Sequence, residues 1–353
     1  MLSISLVTLG DPEQLTGGYL YHRRMAKAAP AHGARIRFLS FPEAPFPIPM
    51  GWGRTVLHRA AAADLVLLDS IATAFAGPWL AVSPAMRPLA IIAHQPPGGI
   101  DHGPLRTRLQ AGLDRLAYRH AGGVVAASEA LANELAASGI PAGRITVVPP
   151  GRDVAPAPAA AAPDLRAGRR AALLCVGNWV ERKGIVALLD ALGRLPAGSA
   201  TLHLVGRHDA DPAYARRVRT RLERPDVAGR VVVHGPVSRA QVAALYRGAD
   251  VFVLPSTQEP YGTVYGEAMA CGLPVVGWRT GNLPHLAADG REGLLLDPGD
   301  VDGLAGALRR LADDDGYRRR LAEAARQRAE SFPTWAESAA VLFTTLRGLA
   351  AGR

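Results

Sequence analysis

Two carboxylates, Glu259 and Glu267, stand with seven residues between them in the run EPYGTVYGEAMACGLPVV, residues 259–276. A strand-like segment, Val251 to Leu254, precedes them, and a turn cluster, Pro255 to Gln258, releases Glu259 from its end. Tyr261 and Gly262 lead into a helix expected from about Thr263, with Ala268, Met269 and Ala270 as strong helix formers and Gly272 as its stop. One carboxylate therefore lies on a loop and the other on the first turns of the next helix, so both can face one ligand. The N–H groups of Gly262, Thr263 and Val264 suit a phosphate, because aligned peptide dipoles leave partial positive charge at a helix start. Taken alone, a bare pair of glutamates at this spacing fits a buried loop and helix of some other α/β protein.

Further chemistry-bearing residues fall at strand ends. Lys183, one of only two lysines in the chain with Lys27, follows a buried strand and a glycine turn and opens an amphipathic helix in LLCVGNWVERKGIVALLDAL, residues 173–192. Gly17 and Gly18 come directly after the first strand, where backbone must approach something closely or open a helix with free N–H groups. Asp69 and His94 close the third and fourth strands, the carboxyl edge at which α/β proteins bind ligands. A lone histidine in that position is also a common hydrogen-bonded structural residue.

The elements that position these residues alternate in type. Strands are expected at 3–9, 35–40, 63–68, 89–93, 123–126 and 145–148, with helices at about 18–31 and 104–120 and one opened by Ser128. The proline-rich FPEAPFPIPMGWG, residues 41–53, is expected to lack regular structure. Residues 149–170, rich in proline, alanine and charge, read as a linker, after which a second αβ series starts at Ala171. Such alternation specifies parallel, doubly wound sheets. The expected domains are 1–150 and 171–332, joined by 151–170. A final helix over 333–353 has apolar residues Trp335, Ala339, Leu342, Phe343 and Leu346 at helical spacing.

Composition narrows the function. At 353 residues the chain exceeds what one core usually supports, so two domains are expected. No apolar run is long enough to span a bilayer, MLSISLVTLGDPEQ has no basic segment before its apolar run and so reads as a first strand, and the scarcity of cysteines points to a reducing cytoplasm. The two cysteines, Cys175 and Cys271, lack partners at metal spacing, and the histidines show no HxxxH or HxH grouping, so neither a metal nor a cofactor is expected. The net charge of +9 is spread over both halves without a dense basic run interleaved with aromatics, which argues against nucleic acid. Arg23, Arg24, Lys27, Arg35 and Arg37 concentrate some of it, so weak peripheral contact with anionic lipid is open beside the commoner solvated helix face.

The run from Glu259 to Val276 resembles the signature of family 4 retaining glycosyltransferases, and the resemblance extends over nearly the whole chain, most specifically from Val251 to Pro298. It implies the GT-B fold, two facing Rossmann-like domains with a last helix crossing back to the first. The implied reaction moves a sugar from a nucleoside diphosphate sugar, UDP favoured, to an acceptor hydroxyl of a small molecule, glycan or lipid. Retention and a front-face mechanism without metal are part of that implication. On these positions Glu259 contacts the donor sugar, Glu267 holds the ribose, and Lys183 grips the diphosphate. Tyr261, Gly262, Thr263 and Val264 surround the donor, with Gly281 and Asn282 in a loop facing it. Gly17 and Gly18 lie near the diphosphate and acceptor, His94 contacts the transferring sugar or the acceptor hydroxyl, and Gly235 and Val237 enclose the base.

One departure stands out. Where the family has a diphosphate-binding arginine ahead of the lysine this chain has Asn178, which donates hydrogen bonds but cannot neutralise charge. Either the diphosphate is held by a weaker grip, or Arg182 nearby or Arg207 after Gly206 compensates. Two competing readings remain open. One is a pyridoxal-phosphate phosphorylase of the same fold. The other is a nucleotide-sugar-binding protein without turnover, which Asn178 suggests.

Overall fold

A computed structural model of the protein describes residues 1–13, 17–82, 88–152 and 162–352. The chain divides into two compact units, Met1–Asp153 with Pro333–Arg353, and Val154–Phe332. Much of the segment read as a linker, 153–161, lies outside the described residues.

The first unit runs β1 (Leu2–Leu9), α1 (Gly17–Ala28), β2 (Ala34–Phe41), α2 (Gly53–Ala60), β3 (Leu65–Asp69), α3 (Thr73–Val82), β4 (Leu89–Ala93), α4 (Pro104–His120), β5 (Gly123–Ala126), α5 (Glu129–Ala137) and β6 (Ile145–Val147). Its strands pair in parallel in the order β2-β1-β3-β4-β5-β6. Every residue of β3 and β4 is buried, as expected of strands covered by helices on both faces. Ser128 caps α5 by accepting from the Leu131 N–H at 3.1 Å.

The second unit runs β7 (Ala171–Val176), α6 (Ile185–Gly193), β8 (Ala200–Val205), α7 (Pro212–Leu222), β9 (Val231–Gly235), α8 (Arg239–Gly248), β10 (Val251–Val253), α9 (Thr263–Ala270), β11 (Val275–Trp278), α10 (Leu283–Leu286), β12 (Gly293–Leu296), α11 (Val301–Asp313) and α12 (Asp315–Glu330). Its order is β12-β11-β10-β7-β8-β9, again all parallel. One apolar cluster fills it, from Leu173 and Leu188 through Phe252 and Met269 to Leu308.

The last helix, α13 (Trp335–Ala350), returns to the first unit. Thr334 and Glu337 form a reciprocal capping box at its start. Its Ala339, Leu342, Phe343 and Leu346 pack with Ile4, Tyr21 and Met25, each leucine contributing about 2 kcal/mol by area at most.

Three expectations need correction. The first helix ends at Ala28 and gives way to a one-turn 3₁₀ segment, Ala29–His32, because Pro30 cannot supply the next N–H. The proline-rich stretch holds a 3₁₀ turn, Ile48–Trp52, in which Pro49 occupies an early position whose N–H needs no partner, and it runs straight into α2. Lys183 does not open a helix. It ends a short 3₁₀ turn, Glu181–Lys183, closed by Gly184 in the left-handed region at φ 67° before α6 begins.

Candidate nucleotide-sugar site

In the second sheet the chain winds outward from β7 through β8 to β9, then returns to place β10 on the other side of β7. Loops leaving β7 and β10 therefore diverge at this reversal, the place where doubly wound sheets accept ligands. The loop after β7 carries Asn178, Arg182 and Lys183, and the loop after β10 carries Glu259.

These loops are laced together. The Lys183 ammonium donates to the Glu259 carboxylate, and the Arg182 guanidinium lies 3.8 Å from the same oxygen while donating to the Gln258 carbonyl at 3.1 Å. The Thr257 N–H donates to the Arg182 carbonyl at 2.8 Å. A Cβ at Gly184 would overlap the Pro255 carbonyl oxygen, so glycine is required by contact as well as by φ. From the other side, the Asn282 N–H donates to the Glu259 carbonyl at 3.0 Å and its amide to the Tyr261 carbonyl at 2.9 Å. Gly281 and Asn282, expected to face the donor, thus brace the backbone that presents Glu259.

Gly262 sits in the left-handed region at φ 73° and starts α9 without any side-chain cap. The next N–H groups on, Tyr265 and Gly266, donate back to the Gly262 carbonyl. Glu267 follows one turn into α9 and accepts from the Tyr246 hydroxyl at 3.2 Å. That tyrosine is buried, and desolvation together with the Glu267 charge pushes its pKa well up, so it stays a donor. Sequence reasoning missed Tyr246, whose place on α8 carries no motif.

Asn178 has a structural role as well, because its side-chain carbonyl accepts from the Arg207 N–H at 3.1 Å. The Arg207 side chain turns to Asp209 at 3.0 Å and is exposed, whereas Arg182 stays beside Glu259. Gly206, at φ 137°, abuts the Gly177 carbonyl and keeps the β7 and β8 turns close. Gly235, at φ 66°, ends β9, and Val237 packs on the edge of the core.

The first sheet reverses between β1 and β3. There Gly17 and Gly18 open α1, and His94 follows β4 with its N–H donated to the Ser70 hydroxyl at 2.9 Å. A Cβ on Gly18 would stand 3.4 Å from the His94 ring, whereas Gly17 has open space around it. Chain spacing concealed a cluster at this point: His22, Asp69 and His94 are all buried with ligand atoms within 4.8 Å of one another. His22 gave no sequence signal because it lies inside a helix. Several basic residues considered for lipid contact are engaged within the unit, Arg23 with Glu13 at 3.2 Å and the Arg24 guanidinium 5.5 Å from the centre of the Trp335 ring.

The family model described as "Glycosyl transferases group 1" matches residues 161–328, and a "Glycosyl transferase 4-like domain" matches residues 3–151. The chain resembles the group 1 glycosyl transferases over just under half its length. Among curated members, it is 37% identical over 210 residues to a D-inositol 3-phosphate glycosyltransferase of Xylanimonas cellulosilytica, covering 56% of this chain and 50% of that one. It is also 37% identical over 153 residues to the lipopolysaccharide core biosynthesis glycosyltransferase LpsE of Rhizobium meliloti, covering 43% of this chain and 42% of that one. The matched stretch thus spans half or less of these relatives' length. Sucrose-phosphate synthase from Thermosynechococcus elongatus superposes with a TM-score of 0.83 at 22% identity, covering 100% of both chains. Anabaena HepE, solved with UDP and glucose, does so at 0.80 and 22% over 99% of this chain and 100% of that one. The fold is GT-B, as its sequence led us to expect. No helix among the described residues is long and apolar enough to cross a membrane.

Proposed function

We propose that the protein is a retaining glycosyltransferase that moves a sugar from a nucleoside diphosphate sugar, UDP favoured, to an acceptor hydroxyl. The observation that carries this reading is the meeting of Lys183, Arg182 and Glu259 at the strand reversal of the second sheet, one loop away from the uncapped start of α9. A cationic group and free helix N–H groups suit a diphosphate, and a carboxylate beside them suits sugar hydroxyls. The UDP preference draws on the HepE structures, which contain UDP and UDP-glucose.

On this reading Lys183 exchanges its Glu259 partner for the diphosphate when donor arrives, and Glu259 turns to the sugar. The bond between the anomeric carbon and the phosphate oxygen breaks with its electron pair leaving on the diphosphate. The acceptor oxygen bonds to that carbon from the same face, and its proton passes to a diphosphate oxygen. Charge growing on the leaving group is stabilised by Lys183 and by the N–H groups of Gly262, Thr263 and Val264, a fixed field that needs no metal. Glu267, steadied by Tyr246, holds the ribose, and His94 contacts the sugar or the acceptor hydroxyl.

Incubating the protein with UDP-glucose and EDTA tests this: slow UDP release that Lys183→Ala abolishes supports it. Binding without any release would favour the alternative, a nucleotide-sugar-binding protein lacking turnover.

A further inference from the structure

His94 is boxed in by α1. Gly18 leaves room beside its ring, the Tyr21 ring meets it edge-on at 5.3 Å, and the His22 ring centre is 4.6 Å away. His22 is itself 0% exposed, and its Nε2 lies 2.8 Å from Oδ2 of Asp69, so that nitrogen carries the proton donated to the carboxylate. Asp69 cannot rotate away. The Thr8 hydroxyl donates to the same Oδ2 at 2.9 Å, and the Ile71 N–H donates to Oδ1 at 3.2 Å. No step of the reaction described above uses His22, Asp69 or Thr8, and an isolated buried imidazole and carboxylate are costly groups to keep unless paired.

We propose that His22, clamped by Asp69, is a positioning residue that sets the orientation and protonation of the His94 ring. The catalytic part of this proposal rests on the reading of His94 as a contact to sugar or acceptor. The clamp itself does not.

The electrostatics agree with the geometry. Burial alone would raise the Asp69 pKa, but the charge and hydrogen bond of His22, then His94 and the Ile71 N–H, hold it below the ordinary carboxylate range. Burial and the neighbouring His22 push His94 down to about 3, with Asp69 pulling the other way, so His94 is neutral at physiological pH. Tyr19 and Tyr21 from α1 and Tyr118 from α4 also face the cluster, all raised by burial and therefore neutral. A neutral imidazole both donates and accepts, whereas an imidazolium only donates. Holding it neutral suits contact with a hydroxyl whose proton is leaving. The same three side chains have the spacing of a cation site, but an ion on Oδ2 would have to break the bonds from Thr8 and His22, which favours the clamp.

The test is a pH titration of the histidine ring ¹⁵N resonances in the full-length protein, with peaks assigned through His22→Gln and His94→Gln. UDP release from UDP-glucose is measured in parallel. The clamp predicts that His94 stays neutral from about pH 5 to 8, and that His22→Gln, which leaves the Asp69 charge beside His94, raises its proton affinity roughly tenfold or more. It also predicts that kcat falls in His22→Gln with little change in donor KM. An unchanged His94 titration in His22→Gln overturns the proposal, and this readout needs no substrate. A shifted titration with a fully active His94→Gln keeps the clamp but overturns its catalytic purpose. Stoichiometric zinc that survives dialysis and is lost in Asp69→Asn would replace the clamp with a metal centre.

Discussion

The Lys183 ammonium and the Glu259 carboxylate, 76 residues apart in sequence, meet as a largely buried ion pair where the second sheet reverses its strand order. The pair ties the loops after β7 and β10 together, so the site is organised before donor binds. On the proposed function, donor entry replaces one ion pair with two contacts, phosphate to lysine and sugar to glutamate.

Lys183→Ala removes the ammonium at the site and is expected to lower kcat about 10²- to 10³-fold, the range for losing one preorganised transition-state donor. The acceptor KM should change little. Steady-state kinetics with varied acceptor checks this, and near-normal turnover would refute the diphosphate role.

Tyr246→Phe deletes the hydroxyl that donates to Glu267 at 3.2 Å and also lies 3.3 Å from the Val264 carbonyl. Losing one hydrogen bond to a charged group costs about 1.5–3 kcal/mol at most, and less at this partly exposed carboxylate. The donor KM should rise several-fold with kcat nearly unchanged, because a ribose contact is made equally in ground and transition states.

Asn178→Asp retains the carbonyl that accepts from the Arg207 N–H but adds a negative charge beside the expected diphosphate. UDP affinity should fall roughly tenfold at low salt while Tm moves little. Calorimetric titration of UDP gives the first quantity and a thermal melt the second. Equal affinity would place the diphosphate away from Asn178.

Gly184→Ala should destabilise by roughly 2–4 kcal/mol, since it combines a left-handed backbone with an overlap against Pro255. Urea denaturation measures it.

His94 also makes stability depend on pH. Its folded pKa, about 3, lies below its ordinary 6.5, so the unfolded chain binds the extra proton first as pH falls. The contribution is complete above about pH 6.5 and is lost on acidification towards 3, at about 1 kcal/mol per pH unit. Asp114, raised by burial to about 6, acts in the opposite sense over part of this window, so the comparison is made against His94→Gln. That variant should show a shallower acid loss than the wild type.

Much of this was legible in sequence because the local signals agreed with the fold. Apolar runs such as LVLLD and LAIIA became buried parallel strands, and the Pro255–Gln258 turn cluster places Glu259 on a loop as expected. Elements without periodicity were hidden: α3, TAFAGPWLAV, is apolar on nearly every side and carries Pro78, so no amphipathic pattern announced it. The pairing of Lys183 with Glu259 and the approach of His22 to Asp69, 47 residues on, depend on which strands become neighbours. Spacing along the chain does not encode that. Asn178, read from the family resemblance as a lost charged phosphate contact, is also a brace for the β8 turn.

The most direct test of the donor site is thermal stabilisation in EDTA by a panel of UDP-, GDP-, ADP- and TDP-sugars. A UDP-sugar at a hundredfold excess over its Kd should stabilise the protein by about 2.7 kcal/mol, and the effect should shrink sharply in Lys183→Ala. Stabilisation by none of the panel, or by one whose effect Lys183→Ala leaves intact, would contradict the site proposed at Lys183, Glu259 and Glu267.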